Sequence, residues 1–314
     1  TSGHQFCVLL AHRSIALPHS PIIRKLSPGL RYQYEQDDYG KLHLVDLWGT
    51  VRDLTEIARY NPDTQNSYHL FTRKNPTTSQ PLVFGNLQSV LSSNYDPALR
   101  TIILVHGIGP TSLSPSNTVL IPGKYCRLGE YQICVHLISA RCTLPDPSQA
   151  RYHVIGFSLG SHQAGVIGRN LARPPAYVTG LDPAMGGWSD NPHKFSATDG
   201  VYTEVIHTNV DGVGYPLPIA DVDFYPNGGH GMPGCLTNSC DHDRAFFYMA
   251  ESLQTGGFTG QRCATLQDAR VGNCTLPETL PLGGREPKTG NRHSPSPQRS
   301  PLKKITSIRC SVSP

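Results

Sequence analysis

Short, continuous apolar runs, each ending at a polar or glycine-rich corner, set the hydrophobic pattern through the middle of the chain. Thr101–Val105 (TIILV), Tyr152–Ile155 (YHVI) and Ala176–Leu181 (AYVTGL) do not alternate with polar residues. Runs of this length bounded by turn formers are expected of strands covered on both faces, as in a parallel sheet. Between the second and third runs the period changes. Gly160, Ala164 and Gly168 recur every four residues, with Val166, Ile167 and Leu171 beside them. One face of a helix would then carry small side chains that let it lie close against a sheet. A further strand is read at 131–138, and a second helix-like stretch from Asp243 to Leu253. The alternation of buried strand and amphipathic helix predicts an α/β fold with a central, mostly parallel sheet.

The corner after Tyr152–Ile155 carries the chemistry. It reads Gly156-Phe157-Ser158-Leu159-Gly160, a GxSxG sequence with a strand before it and a helix after it, which is the context of a nucleophile elbow. Glycines flank such a serine because the turn is strained and Cβ atoms two residues away would strike backbone. Ser158 is therefore the candidate nucleophile, the alternative being a serine that caps a buried helix. A nucleophilic serine needs a base, and the base needs an acid to hold it. Asp182, with Pro183, stands at the carboxyl end of Ala176–Leu181, where open α/β sheets place their site residues; its plainer role would be to open an Asp-Pro turn. Among 14 histidines, His193, His207 and His230 read as loop or strand-end residues. His242 stands just before Asp243–Leu253 and just after Cys240, so it is the candidate base, with Asp241 or Asp243 favouring the helix start. The order Ser158, Asp182, His242 is that of the α/β-hydrolases. The oxyanion hole is expected to use the backbone N–H of Leu159 and that of Ile108, in the loop His106–Gly109 that follows Thr101–Val105. His106 is expected to order that loop without direct chemistry.

Taken together, HLFTRKNP (His69–Pro76), TIILVHG (Thr101–Gly107), HVIGFSLGSHQAG (His153–Gly165), GLDPA (Gly180–Ala184), DGVYTEVIHTN (Asp199–Asn209), DFYPNGG (Asp223–Gly229), PGC (Pro233–Cys235) and CDHDRAFFYMAESL (Cys240–Leu253) resemble the pancreatic-lipase superfamily. Its insect neutral lipases and phospholipase A1-like members are the most similar. The resemblance implies an α/β-hydrolase fold with Ser158 as nucleophile, Asp182 as acid and His242 as base, all three positions being filled. The family also contains lipid-carrying yolk proteins that have lost these residues, so a catalytically weak or inactive lipid-binding or storage protein is the alternative reading. Family triacylglycerol lipases are similar in having a long disulfide-closed lid before the histidine. Here only Leu236–Ser239 separate Cys235 from Cys240, and Val210–Ala220 is also brief. Such a lid falls short of a useful helix, one turn of which takes about 3.6 residues. Short loops resemble those of phospholipase A1 enzymes, which implies carboxyl-ester hydrolysis of polar lipids, with triacylglycerol hydrolysis as the close rival. The substrate expected is a lipid (phospholipid, galactolipid or acylglycerol) met at a lipid surface, with no organic cofactor. Of the calcium ligands known in some members Asp199 matches one, but Ser196 stands where another carboxylate is expected, so no metal is predicted. Cys235 is expected to pair with Cys240 and Cys263 with Cys274, the second resembling a family bridge.

Length and composition narrow the frame. The 314 residues suit one catalytic domain, placed at 41–275, with an irregular segment at 1–40 and a disordered basic Pro/Ser-rich tail at 276–314. A C-terminal β-sandwich is not expected. No apolar run approaches the about 18 residues of a membrane-spanning helix. Nine cysteines without metal-type CxxC spacing favour an oxidising compartment, hence a secreted, extracellular protein. A formal charge of +4 is too small to imply nucleic acid as a partner. The connection 139–151 contains Pro145 and Pro147 and barely reaches the about 10 to 12 residues of a helical crossover. Asp53–Arg59 is expected to be helical.

Overall fold

The structure, a computed structural model, describes residues 32–36, 42–47, 66–107, 115–121, 131–136, 152–284, 288 and 304–308. Strands β1 (Tyr32–Gln36) and β2 (Leu42–Asp46) pair as an antiparallel hairpin of their own. The remaining strands are β3 (Tyr68–Thr72), β4 (Asn75–Leu82), β5 (Arg100–Val105), β6 (Tyr131–His136), β7 (Tyr152–Phe157), β8 (Tyr177–Leu181), β9 (Tyr202–Ile206), β10 (Val222–Pro226), β11 (Phe258–Cys263), β12 (Thr279–Leu282) and β13 (Lys304–Ile308). They form one 11-stranded sheet in the order β12-β11-β13-β10-β9-β8-β7-β5-β6-β3-β4. Its centre, from β13 through β10, β9, β8, β7 and β5 to β6, is parallel throughout. Antiparallel strands close both sides, β3 and β4 on one and β11 and β12 on the other. This is the mostly parallel α/β-hydrolase sheet that the apolar runs predict.

The two faces of the sheet separate the core into two layers because successive side chains on a strand point in opposite directions. In β5, Ile103 and Val105 face the helix α3 (Leu159–Asn170), packing with Val154, Ala164, Ile167, Val178 and Val205. Ile102 and Leu104 face the other way, toward Phe246, Met249 and Leu253 of α4 (Asn238–Thr255). Short helices α1 (Leu87–Leu91), α2 (Pro115–Leu120) and α5 (Leu266–Val271) complete the described α-helices, and one 3-10 turn lies at Asn227–Gly229. Both faces of β5, β8, β9 and β10 are buried, which is why their sequences read as continuous apolar runs.

Three expectations are revised. Helix α4 begins at Asn238, ahead of the expected Asp243, because the Thr237 side chain accepts the Cys240 N–H at 3.2 Å and caps it there. Strands β12 and β13 come from the stretch read as a tail, and β13 inserts between β10 and β11; β1 likewise comes from the segment read as irregular. Their short β-branched and apolar runs, such as KITSI at 304–308, are hidden in windows averaged with Pro, Ser and Lys. The expected helix at 53–59 and the crossover at 139–151 lie outside the described residues.

Candidate active site

The carboxyl ends of β7, β8 and β9 stand side by side, and each is followed by a residue singled out in the sequence. Phe157 pairs with Leu181 and Leu181 with Ile206. The register runs one residue further: Ser158 N–H donates to Leu181 O at 2.9 Å, and Asp182 N–H to Ile206 O at 2.8 Å. Ser158 and Asp182 thus leave neighbouring strands at the same level. Ser158 has φ 56° and ψ −123°, a conformation that costs a non-glycine residue of order 1–3 kcal/mol. The turn is possible because Gly156 and Gly160 have no side chains. A Cβ on Gly156 would lie 2.1 Å from Gly160 O, and one on Gly160 2.3 Å from His106 O. The same closeness brings the end of β5 to the serine, since a Cβ on Gly107 would lie 2.8 Å from Ser158 Cβ.

His242 lies in the second turn of α4 and reaches back to the sheet, its Nδ1 2.5 Å from Asp182 Oδ2. Asp182 is fully buried and His242 nearly so. The second carboxylate oxygen, Oδ1, accepts the backbone N–H groups of Thr208 at 2.8 Å and Asn209 at 3.0 Å. Hydrogen bonds of this kind hold the carboxylate in one orientation. Asp182 itself has φ 41°, so its strand ends in a second strained corner. The Phe157 ring, 4.7 Å from that of His242 and edge-on to Phe246 at 5.1 Å, packs against the imidazole. The start of α4 is held from outside as well. Asp241 accepts Met232 N–H at 2.6 Å and Gly231 N–H at 3.1 Å, and Cys235 and Cys240 form a disulfide. The second expected bridge, Cys263–Cys274, is also formed.

A model of the Lipase family matches residues 126–291, more than half of the chain. The chain belongs to the lipase family. Among its relatives are lipase member H-A of Xenopus laevis, 29% identical over 68% of this chain and 54% of the relative, and pancreatic lipase-related protein 2 of Homo sapiens, 27% identical over 72% and 60%. The pancreatic triacylglycerol lipase of Equus caballus is 27% identical over 72% of this chain and 60% of its own length. These relatives carry the chain into the pancreatic-lipase superfamily that its motifs resemble. The chain spans a little over half the length of the curated relatives it matches.

Within this lipase-family chain the structure brings together Ser158, Leu159, Asp182 and His242, while Ile108 lies outside the described residues. His106 is buried, with Nδ1 2.9 Å from Gly107 O. Asp199 is fully buried and takes a bidentate pairing from Arg169, Nε to Oδ1 at 2.8 Å and Nη2 to Oδ2 at 2.9 Å. The same guanidinium donates to His193 O and Lys194 O, each at 2.8 Å. Among the described residues no group of three or more His, Cys, Asp or Glu is arranged to hold a metal ion, and no helix is long and apolar enough to cross a membrane. Sequence reasoning missed Gly214. A Cβ there would lie 2.6 Å from Asp182 Oδ1 and 2.8 Å from Oδ2, so the loop after β9 lies directly on the carboxylate. The brevity of Val210–Ala220 was the only available signal.

Proposed function

We propose that the chain is a carboxyl-ester hydrolase of lipids in which Ser158 is the nucleophile, His242 the general base and Asp182 the acid that orients it. The observation that carries this reading is the 2.5 Å contact between His242 Nδ1 and Asp182 Oδ2, at the level of a strand-end serine held at φ 56°. With Nδ1–H donating to Asp182, Nε2 is the nitrogen that takes the Ser158 proton as Oγ attacks the ester carbonyl. The oxyanion is received by the N–H groups of Leu159 and Ile108. The imidazolium then returns its proton to the departing alcohol, leaving an acyl-enzyme. Water, deprotonated by the same nitrogen, releases the fatty acid and restores the serine. No cofactor enters any step.

The substrate is a polar lipid, in the manner of phospholipase A1, in preference to a triacylglycerol. Cys235 and Cys240 enclose only Leu236–Ser239, and Leu236 is 99% exposed, which supports an open cleft that meets a lipid surface without first moving a lid. The two disulfide bonds support action outside the cell. The test is labelling of the folded protein by a fluorophosphonate probe. Ser158 labels, Ser158→Ala does not, and His242→Asn loses at least about 10³-fold in rate. Absence of labelling in the wild type turns the reading toward a lipid-binding protein. Triacylglycerol hydrolysis that rises sharply above the substrate's aggregation threshold, and exceeds phospholipid hydrolysis, refutes the substrate preference.

A further inference from the structure

We propose that His207 and Asp223 form a second histidine–aspartate pair, in which both ring nitrogens carry a proton, and that this pair positions the carboxylate of Asp182. It rests on reading Asp182 and His242 as acid and base. His207 directly follows β9 and is fully buried, as is Asp223. Its ring lies nearly parallel to that of Tyr225, at 5° and 4.3 Å between centroids. Nδ1 is 2.8 Å from Tyr215 O and Nε2 is 2.9 Å from Asp223 Oδ1.

The two partners fix the ring's protons. A peptide carbonyl can only accept, so Nδ1 carries a hydrogen. Asp223 Oδ1 already accepts Ile219 N–H at 2.9 Å, and Oδ2 accepts Ala220 N–H at 3.1 Å. Two backbone donors favour the ionised carboxyl, which also can only accept, so Nε2 carries a hydrogen as well. The aromatic face of Tyr225 suits a cation above it. A neutral imidazole would leave either Tyr215 O or Asp223 without the hydrogen bond from the ring, in a place that water does not reach. His162 shows the opposite arrangement in the same molecule: one ring nitrogen faces Ala184 O and the other accepts Phe195 N–H, so its ring is neutral.

The pair secures the far side of the loop 208–220, through Tyr215 O, Ile219 N–H and Ala220 N–H. The near side of that loop is built onto the site. Tyr215 N–H donates to Pro183 O at 2.6 Å and Met185 N–H to Val213 O at 2.8 Å. Ala184 and Gly214 form a β-bridge, and Gly214 leaves no space beside the Asp182 carboxylate. At the start of the loop Thr208 and Asn209 give that carboxylate their N–H groups. Loosening the loop therefore frees Asp182 to turn, and His242 with it. His207 is a positioning residue that touches no substrate.

The test uses the full chain with nitrogen-15-labelled histidine. At pH 7 one histidine, absent from His207→Gln, shows both ring nitrogens protonated; an unprotonated nitrogen on that ring in the wild type overturns the proposal. The downfield resonance of the His242 Nδ1 proton shifts or broadens in His207→Gln, and kcat falls about 10- to 100-fold with KM within about twofold. The double variant His207→Gln/Asp223→Asn, which removes the stranded charge, recovers part of kcat. A purely structural role would lower the melting temperature while leaving kcat per labelled Ser158 and the His242 resonance unchanged, and that outcome also overturns the proposal. If His207→Gln does not fold, Asp223→Asn gives the same readouts. A wild type without hydrolysis or probe labelling refutes the enzyme reading, whereas the histidine spectra still decide the state of His207 and its coupling to His242.

Discussion

An imidazole ring declares its protonation through what it touches. His162, His207 and His242 meet three different sets of partners within one site region. His162 has one acceptor and one donor, and burial pushes its pKa from 6.5 down to about 3, against a smaller opposing effect of the Ala184 carbonyl. The folded state then binds fewer protons than the unfolded chain between those values. Its contribution to stability is complete above pH 6.5 and is lost as pH falls from 6.5 toward about 3, at about 1.4 kcal/mol per pH unit. Denaturation curves at pH 7 and pH 5 should therefore differ more for the wild type than for His162→Gln, and an equal difference refutes the assignment. At this scale Ser158, Asp182 and His242 were legible because each sits in a local context, an elbow, a strand end and a helix, and because their order has meaning. Gly214, the backbone donors of Thr208 and Asn209, and the Phe157 ring were not, because what matters about them is contact across more than fifty residues in some cases, and no local pattern encodes it.

Elements were legible where periodicity was pure. The strands at 101–105, 152–157 and 177–181 and the small-residue helix α3 follow directly from apolar runs and a four-residue repeat. The start of α4 was read too late because Asn238, Ser239 and Cys240 look like loop. Their helical state depends on the Thr237 cap, on Asp241 in the first turn and on the Cys235–Cys240 bridge. That bridge closes a short loop, so the chain-entropy estimate gives it about 2 kcal/mol. Cys235→Ser/Cys240→Ser should lose that amount in chemical denaturation and lower activity, because fraying reaches the turn that carries His242. Unchanged stability and activity would mean that the cap and Asp241 suffice. Arg244, which donates to Pro233 O at 3.0 Å, gives the loop a further tie to the helix.

For the whole molecule, the fold class was readable but the extent of the sheet was not. β12 and β13 lie in sequence with a biased composition, and only pairing with β10 and β11 gives them strand character. Long-range ion pairs were equally hidden. Arg169 of α3 holds Asp199 together with the carbonyls of His193 and Lys194, so this part of the molecule carries its own cation. A chelator should leave the melting temperature and the esterase rate unchanged, whereas Arg169→Ala, which leaves the buried Asp199 carboxylate only the N–H and hydroxyl of Ser196 as donors, should cost roughly 3 kcal/mol. A drop on chelation in the wild type would refute this account.

The place of β13 has a consequence for biosynthesis. Its sheet partner β10 ends at Pro226, and β13 begins at Lys304. At about 5–20 residues per second, the ribosome needs roughly 4 to 16 s to deliver the strand that completes the interior of the sheet. Throughout that interval the outer edge of β10 is an open template for pairing with another chain. The nascent polypeptide therefore passes through a stage at which the site strands are already made but the sheet is still adhesive, and a chaperone or translocation channel is the surface best placed to occupy that edge until β13 arrives.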